Sequence, residues 1–335
     1  MRECPDCGAS YRGSPTTCPI DGVPLCDADD ANLGREVGGW LLGELLGEGA
    51  MASVYRATRD DTMGALKLYR SALPTDRGLR EGEAQLRVRH ARVAEMLDRG
   101  VSDDGQPFLV MRYVRGRPLR SLLAPAGRRL SARAAGRLAV QVADGLGAIH
   151  QHGLVHRDLK PENLIIDGPA DALEATILDL GHAMVLDLGR LTESGLVWGS
   201  APYMSPEQAA GQTLDHRSDL YSLGVVLYEM LVGRRPFEAK AAVDLMQMHC
   251  ANDPVPPAQR APVAESLSDL CCWLLAKHPD HRPESARVVK AALAGILGRD
   301  GGADGAEGVD DADDADGLLP RNTRSTRNTN EEAAG

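Results

Sequence analysis

A chain of 335 residues, 43% of them hydrophobic, is long enough to bury a sizeable core, which excludes the disordered and fibrous classes. A formal net charge of −11 argues against a surface built for nucleic acid, although eight acidic and no basic residues between Asp300 and Asp316 supply much of it. No stretch approaches the roughly 18 to 20 apolar residues of a membrane helix, and the opening MRECPDCGAS lacks the apolar centre of a signal peptide, so the expected location is cytoplasmic, with no membrane segment.

Residues 1–27 are rich in Cys, Pro and Gly and have almost no periodicity, so they need a staple to fold. Cys4-x2-Cys7 is followed by Cys18-x2-Asp21, a spacing that resembles a small zinc ribbon, with Cys26 as the alternative fourth ligand. Four protein ligands leave no open position, so the Zn²⁺ would be structural. Residues 28–37 read as a polar linker.

From Trp40 to about Met111 short apolar runs alternate with turn signals, which predicts a mostly antiparallel sheet interrupted by one helix over Thr75–Arg89. Within it, LLGEGAMASVYRA opens a G-x-G-x-x-G pattern with Gly47 and Gly49 but has Ala52 in the last place. Helical periodicity follows. Leu138, Val142, Leu146 and Ile149 share one face of a helix that Ser131 can cap, and a second helix from Ser218 buries Leu220, Leu223, Leu227 and Leu231. Cys250, Cys271 and Cys272 fall in this apolar helical context and read as buried thiols. Residues 299–335 have a disordered composition.

The decisive stretch is LVHRDLKPENLIIDG, residues 154–168, followed by ILDLGHA. Phosphoryl transfer needs a base or positioner for the attacking hydroxyl, ligands for the metal that neutralises phosphate charge, and a cation on the nucleotide. His156-Arg157-Asp158 with Asn163 fits H-R-D-x-x-x-x-N, and Asp179-Leu180-Gly181 fits the metal-binding D-F-G triplet with Leu for Phe. Each piece alone is weak. Gly47, Lys67, Asp158, Asn163 and Asp179 in one order and register are not.

On these motifs residues 38–298 resemble a bacterial eukaryotic-type serine/threonine protein kinase. The resemblance implies an α+β, bilobal kinase fold: a β-rich N-lobe at about 38–111 with one regulatory helix, and a mainly helical C-lobe at about 115–298. It also implies ATP and Mg²⁺ as cofactors and protein Ser/Thr hydroxyls as acceptors. Asp158 would take the hydroxyl proton, Lys160 would mark serine/threonine specificity, and Asn163 and Asp179 would hold Mg²⁺. Lys67 would pair with the ATP phosphates and with Glu81, which the register picks over Glu83.

Leu46, Gly47, Glu48, Gly49, Ala50, Met51, Ala52, Ser53 and Val54 would form the lid over ATP. Val54, Ala65 and Ile165 would sandwich the adenine, Met111 would stand behind it, and the Arg112 carbonyl and Val114 amide would bond its edge. Ser205-Pro206-Glu207 stands for the A-P-E triplet with Arg282 as ion-pair partner of Glu207, Asp219 would brace the catalytic loop, and Ser200 takes the place of the threonine that touches the catalytic aspartate. Arg157 would dock a phosphate on the activation segment, at Thr192 or Ser194. Gly82 and Gln85 weaken the regulatory helix, which suggests a homodimer or a regulatory protein as partner. The alternative reading is a pseudokinase that binds nucleotide and acts through protein contacts.

Overall fold

A computed structural model describes residues 32–49, 52–70, 85–124, 127–178 and 201–300, together with Arg2, Glu3, Ser10, Tyr11, Thr17, Val23, Pro24, Cys26, Asp27 and Asp30. The chain divides into two units, Ala28–Gly305 and a smaller one made of Met1–Asp27 and Ala306–Gly335. In the smaller unit β1 (Arg2–Glu3) pairs antiparallel with β2 (Ser10–Tyr11) and with β3 (Cys26–Asp27). Glu3 lies opposite both Ser10 and Cys26, and Thr17 bridges Pro24. Cys4, Cys7, Cys18 and Asp21 lie outside the described residues. Among the described residues no cluster of His, Cys, Asp and Glu is arranged to hold a metal, and no helix is long and apolar enough to cross a membrane.

The larger unit begins inside the stretch that reads as a linker. Tyr55 Oη donates to Asp30 Oδ2 at 2.9 Å and accepts from Asn32 Nδ2 at 3.0 Å, and β4 (Glu36–Val37) adds a strand ahead of β5 (Trp40–Glu48). The Asp30 and Asn32 attachments are polar and apolar periodicity does not announce them, while Val37 of β4 packs into the apolar core. The sheet continues through β6 (Ala52–Arg59), β7 (Thr62–Tyr69), β8 (Met96–Val101) and β9 (Pro107–Arg112) in the spatial order β4-β5-β6-β7-β9-β8, antiparallel throughout.

Side chains alternate between the two faces of a strand, so this register sorts the lobe into two surfaces. Trp40, Leu42, Tyr55, Ala57, Leu66, Leu68, Phe108 and Val110 form the core of one. The other carries Val54 opposite Lys67, Lys67 opposite Leu109, and Ala65 opposite Met111. Of the expected helix, residues 71–84 lie outside the described residues, Leu86 and Arg87 form a turn, and Val88 and Arg89 are irregular chain.

The second lobe holds α1 (Leu119–Leu123), α2 (Ala132–Gln151), α3 (Pro206–Ala209), α4 (Arg217–Val232), α5 (Ala242–Ala251), α6 (Glu265–Leu274) and α7 (Ala286–Asp300). A small sheet of β10 (Arg117–Pro118), β11 (Leu164–Asp167) and β12 (Glu174–Ile177) lies at its start. Ser131 Oγ accepts from the Ala134 amide at 3.2 Å and starts α2, whose Leu138, Val142, Leu146 and Ile149 are at most 1% exposed. The α4 helix differs from a one-sided amphipathic helix: every residue from Ser218 to Leu231 is buried, because the lobe is built around it. Of the three distal cysteines only Cys271 is buried; Cys250 is exposed and Cys272 half-buried.

Among the described residues the lobes are tied by backbone hydrogen bonds at Ile177 and by the chain that links them. Ile177 donates to the Arg92 carbonyl at 2.9 Å, and its own carbonyl accepts from Ala94 at 2.8 Å. Residues 113–116 make the second connection, ending at Gly116. Its φ is 116°, and a Cβ there would stand 2.4 Å from the Ile166 carbonyl oxygen, so the position admits only glycine.

Candidate active site

The lower face of the first sheet and the loop before β11 carry most of the residues that the motifs single out. Gly47 pairs with Val54 and Glu48 with Ser53, and the Gly49 amide closes the turn on the Ala52 carbonyl at 2.9 Å. Ala50 and Met51 lie outside the described residues. Ala52 has no left-handed backbone to sustain; it is a strand residue, 7% exposed, clustered with Tyr69, Met96 and Leu109. Its methyl is part of the core, which is why glycine is dispensable there. Among the described residues no atom beyond its chain neighbours stands within 4 Å of where a Gly47 side chain would begin, so the loop has space there of the kind a phosphate fills.

Lys67 is half-buried in the middle of that face, between Val54 and Leu109, with Nζ 5.4 Å from the centre of the Tyr69 ring. Met111 is 6% exposed and Ile165, on β11, 9%. The Arg112 amide donates to the Glu95 carbonyl at 2.7 Å while its guanidinium holds the Glu95 carboxylate at 2.6 and 3.0 Å. The side chain of Arg112 therefore belongs to the outer surface, and the backbone of the hinge is fixed independently of it.

Across from this face the catalytic-loop motif is assembled by hydrogen bonds. Asn163 Nδ2 donates to Asp158 Oδ2 at 3.0 Å and to the Asp158 carbonyl at 2.8 Å, and Lys160 Nζ lies 2.7 Å from Asp158 Oδ2. The Leu178 amide donates to the Asn163 carbonyl at 2.8 Å, and His156 Nε2 donates to the Leu178 carbonyl at 2.9 Å, since His156 Nδ1 accepts from the Asp158 amide. The described chain pauses there; Asp179, Glu81, Thr192, Ser194 and Ser200 lie outside the described residues.

Arg157 has φ 67°, a left-handed conformation that costs a non-glycine residue about 1–2 kcal/mol. Three contacts hold it. Asp219, at the start of α4, accepts from the His156 and Arg157 amides at 2.8 Å each, and Gln208 Nε2 donates to the Arg157 carbonyl at 2.8 Å. Burial pushes the Asp219 carboxyl up, but the His150 hydrogen bond at 2.8 Å, the His150 and His156 charges and the backbone donor outweigh it and hold the group below its ordinary range. Asp219 thus stays an anion under the loop.

Glu207 and Arg282 form a bidentate pair, both bonds 2.7 Å, with each residue 4% exposed. Such a pair persists only when its remaining sites are satisfied. Ser218 donates to Glu207 at 2.6 Å, and Arg282 also reaches the Arg217, Ala276 and Lys277 carbonyls. Burial raises the Glu207 pKa, yet the Arg282 hydrogen bonds and charge bring it below the usual value. Gln208 and His150 are site residues that motif spacing did not single out. The neighbouring Glu207 and Asp219 were the available signal for them.

These distances assemble Asp158, Lys160 and Asn163 on one loop, facing a sheet that carries Lys67 and an open glycine turn. A model of the protein kinase domain matches residues 40–293. The chain belongs to the protein kinase domain family. This kinase domain is 38% identical to the serine/threonine-protein kinase pkn3 of Myxococcus xanthus over 267 residues, 75% of this chain and 49% of that protein. It is also 38% identical to the serine/threonine-protein kinase PknB of Mycolicibacterium smegmatis over 266 residues, 75% of this chain and 42% of that one. The chain thus spans half or less of the length of these curated relatives. The crystal structure of the PknI kinase domain from Mycobacterium tuberculosis shares the fold, with a TM-score of 0.62 at 24% identity over 78% of this chain and 98% of that one.

Proposed function

We propose that this protein kinase domain transfers the γ-phosphate of ATP to serine and threonine hydroxyls of proteins. The observation that carries the reading is the Asp158 carboxylate, 6% exposed and held by Lys160 and Asn163 within one braced loop. In this reading Asp158 Oδ orients the acceptor hydroxyl and takes its proton, and Lys160, 2.7 Å away, moves between that carboxylate and the transferred phosphate. Lys67 offsets charge on the nucleotide phosphates under the open turn at Gly47, and Val54, Ala65, Met111 and Ile165 enclose the base. Asn163 and Asp179 would hold Mg²⁺, which when bound neutralises phosphate charge.

Phosphate incorporation from labelled ATP tests this. Asp158→Asn should lower the rate roughly 100- to 10,000-fold. Wild type that binds MgATP and transfers nothing would leave a nucleotide-binding scaffold instead. Mapping the incorporated phosphate in the same experiment checks Thr192 and Ser194, for which the strained, cationic Arg157 beside Asp158 is the docking group.

The reading extends to a structural Zn²⁺ in residues 1–27 of a cytoplasmic protein. Its support is the spacing of Cys4-x2-Cys7 and Cys18-x2-Asp21, with the paired residues Glu3 and Ser10 flanking the first in sequence and the bridged residues Thr17 and Pro24 flanking the second. Metal analysis of the full chain should give one equivalent of zinc, reduced by Cys4→Ser. Loss in Asp21→Ala but not in Cys26→Ser would name the fourth ligand.

A further inference from the structure

The catalytic loop forms one wall of a cavity of ≈ 830 Å³, completed by residues 202–203 and by the end of α4 with the turn after it. Glu162, next to Asn163, and Glu229, on α4, both line it. Two carboxylates beside the acceptor site would ordinarily bind a basic side chain of a substrate. Here they already hold one. Arg120 on α1 donates Nε to Glu162 at 2.8 Å and one terminal nitrogen to Glu229 at 2.8 Å, and the other terminal nitrogen reaches the Tyr203 hydroxyl, which donates to Glu229 Oε2 at 2.5 Å. The Glu229 side chain is 8% exposed, so this carboxylate is spent within the fold.

The rest of the wall has the opposite sign. Gly233 ends α4 in the left-handed conformation, φ 78°, and the chain turns so that Arg234 and Arg235 border the cavity along with Arg260. Among the described residues these three have no acid within ion-pair distance, and Glu238 is the one remaining acid on the wall. Burial works against the charge of Arg120, but Glu229 and Glu162 outweigh it and keep the guanidinium protonated.

We propose that this cavity receives a carboxylate side chain of the protein substrate, near the acceptor hydroxyl, with Arg234 and Arg235 as its recognising groups and Arg120 as the internal occupant that excludes a basic side chain. The position follows from the loop: Glu162 adjoins Asn163, whose amide is 3.0 Å from Asp158 Oδ2, so a residue a few positions from the acceptor reaches the cavity. Carboxylates match the forked geometry of arginine, which gives the subsite its selectivity. This inference rests on the kinase reading above and names the substrate class for it.

The test uses the full chain and peptides with one threonine in a neutral frame, carrying Asp, Ala or Arg at each flanking position in turn. At the best position kcat/KM for the Asp peptide should exceed that for the Ala peptide about 10-fold, mainly through KM, with the Arg peptide below both. Arg234→Ala/Arg235→Ala should bring the Asp-to-Ala ratio to about one. Arg120→Ala, checked by thermal unfolding because its partners are buried, should raise the Arg peptide above the Ala peptide. An Asp-to-Ala ratio of one or less at every position in wild type, or a ratio unmoved by the Arg234→Ala/Arg235→Ala change, overturns the inference and leaves the kinase reading standing. Phosphate on no peptide at all overturns that reading and the inference with it.

Discussion

At the scale of single residues, the two acids that brace the catalytic loop and its neighbouring segment take their partners from distant parts of the chain. Asp219 collects two amides and His150, 69 residues away, while Glu207 and Arg282 meet across 75. His249 is the opposite case, a fully buried base next to cations. Burial, with the Lys277 and Arg235 charges, brings its pKa down to about 4 from 6.5. The folded state therefore resists a proton that the unfolded chain accepts below pH 6.5. Stability from this residue is fully present above that pH and is lost as pH falls through about 4, by about 3 kcal/mol at about 1.4 kcal/mol per pH unit. Denaturant unfolding between pH 7 and 4 should show this slope, and His249→Gln should flatten it. The depressed carboxyls of Asp219 and Glu207 contribute stability that is lost only as pH falls from the ordinary carboxylate value downward, so their loss follows on at the acid end of the His249 window.

At the scale of elements, the ends of α4 decide what the site can do, since its first turn carries Asp219 and its last carries Glu229 and leads into Arg234. Gly233 makes that last turn possible. Its φ is 78°, and a Cβ there would stand 2.5 Å from the Gly127 carbonyl oxygen. Gly233→Ala should cost at least about 2 kcal/mol, from left-handed strain plus the displaced backbone. Gly295→Ala is the contrast, because nothing among the described residues outside its own helix backbone lies within 4 Å of that position and the change should stabilise by about 0.5–1 kcal/mol. Thermal unfolding of the two variants reads both signs. The α3 helix begins with a capping box, Ser205 and Gln208 bonding each other's backbone, and the same Gln208 reaches Arg157, so a local cap also fixes the catalytic loop.

At the scale of the molecule, the sheet face that carries Lys67 and the loop that carries Asp158 belong to different lobes, tied through Arg92, Ala94 and Ile177 and through residues 113–116. A nucleotide that touches both lobes should stabilise them together. MgATP at about 100 times its Kd should add about 2.7 kcal/mol, seen as a raised Tm. Asp158→Asn should keep that shift and Lys67→Met should lose most of it, which separates binding from transfer.

The sequence by itself determined the ordered motifs of Lys67, Asp158 and Asn163 on which the kinase reading rests, the two-lobed order of strands before helices, and the cap at Ser131. Phosphoryl transfer constrains residue type and spacing along the chain, and helix starts and strand alternation are local. Only the tertiary structure decided that Ala52 is a core residue, that Asp30 and Asn32 anchor the supposed linker on Tyr55, and that Gln208 and His150 complete the loop's support. It alone paired Arg120 with Glu229, 109 residues apart. The physical reason is common to the polar cases. A buried polar group is stable only with its partner, and that partner is chosen by where the fold brings distant segments together, which no local pattern records.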